Sequence, residues 1–434
     1  MRRLTGGVLS GLALALVASG TATGAFAMSG PVTAYAYAAV VYPTGQYPAD
    51  VTNVQAAIDQ GGSVLLKSTN TAGQPTAFNF GLPQPGSGRV NVTRDVGIHG
   101  EQVSAAMSTI EGGYIPIYVH PGVNVSISGI DLEHPLFDGI YLKYAASGHV
   151  EGNRIEHVVG QFFYSPSVST GSGILTIGGG SYVIDNNIID DIDAMAGIGV
   201  GQYLSQGRAE IDGNIVSGTN TIAIESGGSV SVRIENNTTI PGPERNPNGS
   251  FGVGIEVNGP GDYYVSDNTA VCENPNALCI LGFGPGPALS SPQIVNNHVT
   301  TRTGFNGAIG IAVLGQVSNA YIGQNQVDGT GAAALSTLAA CCRFANDLAA
   351  ESFVGNDIAR FTGSLADVFF DQPTHDTFLE GFSGTVIDLG TNDSITGFTN
   401  ASAANGVAGR WGGAADYKID EIQNAEAEWR ASAP

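Results

Sequence analysis

The sequence predicts an all-β solenoid, and two recurring patterns carry that prediction. Asparagines recur at Asn153, Asn187, Asn214, Asn237, Asn268, Asn297, Asn325 and Asn356, at intervals of 34, 27, 23, 31, 29, 28 and 31 residues. Each is flanked by branched apolar residues, as in VIDNN-IIDDI at Asn187 and RIENN-TTI at Asn237. A near-regular period of this kind is expected when each turn has a fixed core and loops of varying length. The second pattern is a Gly-rich apolar segment once per period, such as Gly173-Ile174-Leu175-Thr176-Ile177, Gly197-Ile198-Gly199-Val200 and Gly254-Ile255-Glu256-Val257. Sixty-two glycines and only 12% charged residues fit a chain of many short strands and tight turns.

The elements follow in order. Residues 1–27 read as an export signal: Arg2 and Arg3, an apolar run from Val8 to Val17, and an Ala25-Phe26-Ala27 cleavage site. The apolar run is short for a membrane anchor, and no later segment is long and apolar enough to span a bilayer. The mature chain is expected to be soluble and secreted, periplasmic or extracellular. Residues 28–48 are small and Ala/Tyr-rich, a flexible segment. DVTNVQAAIDQGG then reads as an amphipathic helix capped by Asp50 or Thr52, with Val54, Ala57 and Ile58 on one face and Gly61-Gly62 ending it. Such a helix is placed to cover the open end of a solenoid spanning residues 49–400.

Each period then parses alike. A short strand precedes the asparagine, and the asparagine makes a bend, which it tolerates through left-handed backbone and local bonding. A second strand follows, then a variable loop, then the Gly-rich strand that begins the next turn. Three strands per turn, stacked in parallel at about 4.8 Å, make a parallel β-helix of about ten turns. Residues 365–400 read as a last irregular turn, and 401–434, with Trp411, as a C-terminal cap or tail.

The I-x-N-N-x-I turns and G-I-x-V strands resemble the right-handed, single-stranded parallel β-helix repeats of the pectate-lyase-like superfamily, over roughly residues 50 to 400. That superfamily contains polysaccharide lyases, glycoside hydrolases, epimerases, fructan-cleaving transferases and non-enzymatic surface proteins, so the resemblance implies a fold more narrowly than an activity. The paired-Asp and G-H-G segments of polygalacturonases do not appear, nor does the Y-G-x-D-P-H segment of mannuronan epimerases. His134-Pro135-Leu136-Phe137-Asp138-Gly139 is only loosely similar to the latter. The resemblance implies a substrate lying along the stacked strands that follow the variable loop.

On those strands the chemistry concentrates at two positions. If Ile224 and Ile255 point inward, alternation turns Glu225 and Glu256 outward on consecutive turns, with carboxylates within about 5 Å. Two bare carboxylates that close are costly unless one is protonated or a cation lies between them. A proton-sharing pair suits retaining glycoside cleavage; a shared Ca²⁺ suits a lyase, where it neutralises a uronate. The plain alternative is two solvated glutamates. Loop 241–252 is expected to bring Arg245 toward Glu256, and loop 299–308 to bring Arg302; an arginine there can hold a carboxylate or, if its proton is lost, act as a base. Phe162, Phe163 and Tyr164 in loop 160–171 and Tyr203 can stack on sugars, with Lys143 and Asn258 as further substrate contacts. Asp131, Glu133, His134 and Asp138 form a weaker acidic group, as do Asp185, Asp190, Asp191 and Asp193. His157, His298 and His375 fall in different turns.

Charge narrows the partners. A formal net charge of -22, or -24 without Arg2 and Arg3, argues against nucleic acid and anionic membrane surfaces. Cys272 and Cys279 bracket a loop and are expected to form a local disulfide; Cys341 and Cys342 are adjacent, and their pairing stays open. The expectation is a secreted enzyme that cleaves a polysaccharide, first a lyase acting by β-elimination, with no cofactor or Ca²⁺. A hydrolase or glycan-cleaving transferase using Glu225 and Glu256 is the alternative, and a non-enzymatic surface or adhesion solenoid the third reading.

Overall fold

The computed structural model describes residues 37–400 apart from 83–87, 103–106, 166–167, 194, 203–205, 243–251, 276, 303, 305–306, 339–345 and 382–383. The signal at 1–27, the cap or tail at 401–434, Arg245, Tyr203, Cys341 and Cys342 therefore lie outside the described residues. Three sheets of stacked parallel strands run through the described residues. The first has 14 strands, from Ala39–Val41 to Ser394–Thr396, and holds the strand before each ladder asparagine. The second has 11, from Phe78–Asn79 to Phe361–Gly363, and holds the strand after it. The third has 15 and holds the Gly-rich strands. The stack is thus longer than ten turns. The extra coils lie before Asn153 and after Asn356, where no asparagine marks them.

The end of the 28–48 segment is strand rather than loose chain: Ala39–Val41 pairs in parallel with Gly62–Leu66, because Val40 and Val41 complete the backbone bonds of an otherwise bare edge. The helix runs Ala49–Ile58 and contacts the first strands of all three sheets. Its N-cap is Pro48, without a side-chain cap bond, so neither Asp50 nor Thr52 caps it. Asp50 is instead fully buried within the first turn. Its carboxylate accepts bonds from Thr44 N at 2.7 Å, Gln46 N at 3.1 Å and Asn79 N at 2.9 Å. Among the described residues, no helix is long and apolar enough to cross a membrane. Cys272 and Cys279 are joined in a disulfide.

The asparagine ladder is a buried stack of carboxamides. All eight asparagines are at most 5% exposed. The Oδ1 of Asn187 accepts from both the backbone N (3.0 Å) and the Nδ2 (3.1 Å) of Asn153. The same double acceptance recurs at each step to Asn356. Each Nδ2 also reaches back to a strand carbonyl of the preceding coil, as Asn237 does to Ile211 O at 2.8 Å. The left-handed bend belongs to the residue before, namely Gly152, Asn186, Gly213, Asn236, Asp267, Asn296, Gln324 and Gly355, with φ between 56° and 65°. The ladder asparagine is selected for a different reason. A short amide both donates and accepts, so it satisfies backbone groups that the bend leaves buried without partners.

Inside the coils, Ile140, Ile174, Ile198, Ile224, Ile255, Ile280, Ile311 and Leu335 stack in register as one core row. Small residues precede that row because space is short: a β-carbon on Gly197 would lie 2.2 Å from Val216. Near the C-terminal end Glu351 is fully buried. Burial raises its carboxyl from an ordinary 4.5 to about 7, opposed by the hydroxyl of Thr377, which donates to Oε2 at 2.9 Å.

Two stability predictions follow from these buried groups. Asn237→Leu strips acceptors from Asn214 and a donor from Ile211 O, and should cost about 2–4 kcal/mol in urea denaturation; a loss under about 0.5 kcal/mol would remove the ladder's structural role. Because the folded-state pKa of Glu351 is raised, its contribution is fully present below pH 4.5 and is lost as pH rises to about 7. Glu351→Gln should therefore match the parent near pH 4 and exceed it by about 3 kcal/mol at pH 8, and equal differences at both pH values would contradict the assignment.

Candidate functional site

The third sheet presents one in-register row on its outer face. It runs Asn91, Tyr118, Tyr141, Leu175, Gly199, Glu225, Glu256, Leu281, Ala312, Ser336, Phe369 and Ile387. Glu225 and Glu256 are directly opposed on adjacent strands Ile222–Gly227 and Val253–Asn258. Both turn away from the core row that holds Ile224 and Ile255. They are not solvated: Glu225 is 7% exposed and Glu256 is fully buried.

Asn258 holds the pair. Its Nδ2 donates to Glu225 Oε1 at 3.2 Å and to Glu256 Oε1 at 3.0 Å. One amide nitrogen links both carboxylates, so the two oxygens are separated by less than two hydrogen-bond lengths. Gly227, in register with Asn258, leaves room for that amide, since a β-carbon there would lie 2.3 Å from Asn258 Oδ1. The backbone of Asn258 is pinned in turn by Tyr263, whose hydroxyl lies 2.6 Å from Asn258 O and 2.9 Å from Gly228 O. Burial, then the charges of Glu225, Asp262 and Glu256, push the Tyr263 phenol well above its ordinary range, so it stays a donor. Asn258, expected to touch substrate, is half-buried and bonds to both carboxylates.

The pair marks a boundary along the row. On the C-terminal side the outer face is apolar and buried: Leu281, Phe283, Ala312, Leu314, Leu338 and Phe369 form a second hydrophobic cluster separate from the core. On the N-terminal side, beyond Gly199 and Leu175, lies an aromatic and cationic group. Tyr118 packs edge-on against Tyr141 with centroids 5.2 Å apart and against His120 at 4.8 Å. Arg89 sits 4.8 Å over the Tyr118 ring, and His120 Nε2 is 3.1 Å from Asn91 Oδ1. Burial lowers the His120 pKa, and Arg89 and Lys143 lower it further. Lys143 thus belongs to this group, three strands before that of Glu225 and four before that of Glu256. Counting outward-facing positions strand by strand finds this group in the sequence; reading only Lys143 there misses Arg89, Tyr118, His120 and Tyr141.

Arg302 is an exposed residue following the second-sheet strand His298–Thr301. It precedes the third-sheet strand two positions beyond Glu256. Phe162 and Tyr164 lie on Gln161–Ser165, which pairs antiparallel with Val168–Thr170; their side chains, and that of Phe163, lie outside the described residues. Of the histidines, His157 stacks on His134 with centroids 4.7 Å apart, while His298 and His375 pair with acidic neighbours. Asp131 is 93% hidden beside Glu133, and burial, then Glu133, raises its carboxyl to about 7.

A family model described as "Right handed beta helix region" matches residues 95–270. The chain is a right-handed parallel β-helix protein. Among solved structures the β-helix is similar to two Azotobacter vinelandii proteins. One is the A-module of the mannuronan C-5 epimerase AlgE6, at 14% identity and a TM-score of 0.42, covering 81% of this chain and 95% of that one. The other is the AlgE4 A-module, at 13% identity and a TM-score of 0.40, covering 76% and 95%. Comparison with curated proteins gives no match.

The role of Gly227 can be tested structurally. In Gly227→Ala the β-carbon should rotate the flexible Asn258 amide away from both carboxylates while the melting temperature stays close to that of the parent. A crystal structure of the variant with the bridge intact would contradict this.

Proposed function

We propose that this β-helix is an exported carbohydrate-active enzyme that cleaves a polysaccharide, with bond breaking at Glu225 and Glu256. The observation that carries the reading is the pair of in-register carboxylates bridged by the Asn258 amide on one sheet face. Two carboxyl groups this close can divide the work of glycoside cleavage: one protonates the departing oxygen, and the other attacks or stabilises the anomeric carbon. Glu225, the more exposed, meets the sugar first. The row extends along the solenoid axis with one outward position per coil, which suits a chain of pyranose units laid lengthwise. The N-terminal sequence supports export.

The Asn258 NH₂ occupies the place between the two Oε1 atoms that a shared Ca²⁺ would take, and its hydrogens would repel the ion. We therefore read the pair as working without a cation. β-Elimination remains the second reading because a specific group favours it. Arg89, His120 and Lys143, with the rings of Tyr118 and Tyr141, make a cationic and aromatic platform on the same face, suited to a uronate carboxylate and the sugar ring behind it.

Incubation with a panel of neutral and uronate polysaccharides separates these readings. Hydrolysis should release reducing ends without the ultraviolet absorbance of an unsaturated product, and elimination should give both. Glu225→Gln and Glu256→Gln should each lower turnover by at least about a hundredfold with circular dichroism unchanged. Full activity in both variants moves the site elsewhere, and no product from any polysaccharide removes the enzymatic reading.

A further inference from the structure

The second sheet carries a carboxylate group that glycan cleavage does not use. Its outer face stacks Glu111, Glu133, Glu156 and Asp190 in one row over four successive strands. Asp131 lies two residues before Glu133 on the same strand face, in register with Arg154. One carboxylate oxygen from each of Asp131, Glu133 and Glu156 lies within 4.8 Å of the others. Acidic groups on a surface are common, and buried carboxylate oxygens without a partner occur elsewhere in the chain, but here the two coincide. Asp131 is 7% exposed, and its Oδ1 is buried with no hydrogen-bond partner among the described residues. A desolvated carboxylate oxygen without a donor calls for a compensating charge.

We propose that Asp131, Glu133 and Glu156 hold a divalent cation of the calcium type, which ties two neighbouring coils together across the second sheet. The donors are all carboxylate oxygens, the hard ligands that Ca²⁺ takes. Three oxygens within 4.8 Å of one another can converge on one ion at the Ca–O distance of about 2.3–2.6 Å with little movement. Mg²⁺, at about 2.0–2.1 Å and octahedral, would require the strands to close further. The charges match as well. Arg154 Nη2 is 2.6 Å from Glu156 Oε1, so three carboxylates and one guanidinium leave two negative charges for the ion to neutralise. Exposed Glu111, at the end of the row, and water can fill further positions. His134 and His157, stacked on each other, follow Glu133 and Glu156 in sequence and fix the corner where the site ends.

The site lies on a different sheet from Glu225 and Glu256, so it stands or falls independently of the cleavage reading. The test is calorimetric titration of the full chain with Ca²⁺ after chelator treatment, with Tb³⁺ luminescence as a second readout. One saturable site is expected, with Kd on the order of 10⁻⁴ to 10⁻³ M, and the melting temperature should climb with Ca²⁺ concentration. Mg²⁺ should bind at least tenfold more weakly. Asp131→Asn should weaken Ca²⁺ binding at least tenfold and abolish the thermal response. Glu133→Gln serves the same purpose if the first variant does not fold. Glu256→Gln and the first-sheet control Glu210→Gln should bind normally. Absence of saturable binding, or binding kept in the folded Asp131 or Glu133 variant, overturns the proposal.

Discussion

The architecture depends on the buried amide stack from Asn153 to Asn356. A solenoid coil has to turn a corner between the first and second sheets, and the corner leaves backbone groups inside the protein without strand partners. Each ladder asparagine meets that need twice over, donating to a carbonyl of the preceding coil and accepting from the asparagine before it or, at Asn153, from Ile130 N. Because each amide bonds to the next, the corners are held in line along the axis. A bonded row of this kind resists slippage between coils, and slippage by one residue would turn every core side chain outward.

Register along the axis is what gives the third sheet a usable face. Residues as distant in sequence as Asn91 and Ile387 fall on one outward row, so the chemistry there is ordered linearly: aromatic and cationic, then small and aliphatic, then two carboxylates, then apolar. The carboxylates sit where polar and apolar parts of the face meet. Their burial strengthens every electrostatic interaction they make, and the chain compensates with the Asn258 amide, itself fixed by Tyr263 and given space by Gly227.

Much of this was legible in the sequence, and the failures have physical causes. The Asn intervals and the I-A-I-E and G-I-E-V segments placed Glu225 and Glu256 opposite each other, because core isoleucines mark the inward positions of each strand. The bend was displaced by one residue, since Asn is common both as a left-handed corner and as a buried amide bridge, and pairs such as Asn186-Asn187 contain one of each. Burial of the pair was not legible. It accompanies strands such as Leu278–Ser290 that are apolar on both faces, where alternation cannot reveal the second hydrophobic cluster. Glu156 was missed beside Glu133 because Ile130 stands where later coils have asparagine. Counting three residues on from Ile130 and from Asn153 reaches both glutamates.

The claim that the outer face of the third sheet is a glycan track meets its most direct test in a crystal structure. The Glu256→Gln variant would be soaked with an oligosaccharide that the unaltered protein cleaves. The account predicts a sugar chain running parallel to the solenoid axis, with rings against Tyr118 and Tyr141 and a glycosidic oxygen at Glu225. Ordered sugar on the first or second sheet, or lying across the axis away from Glu225, would contradict it.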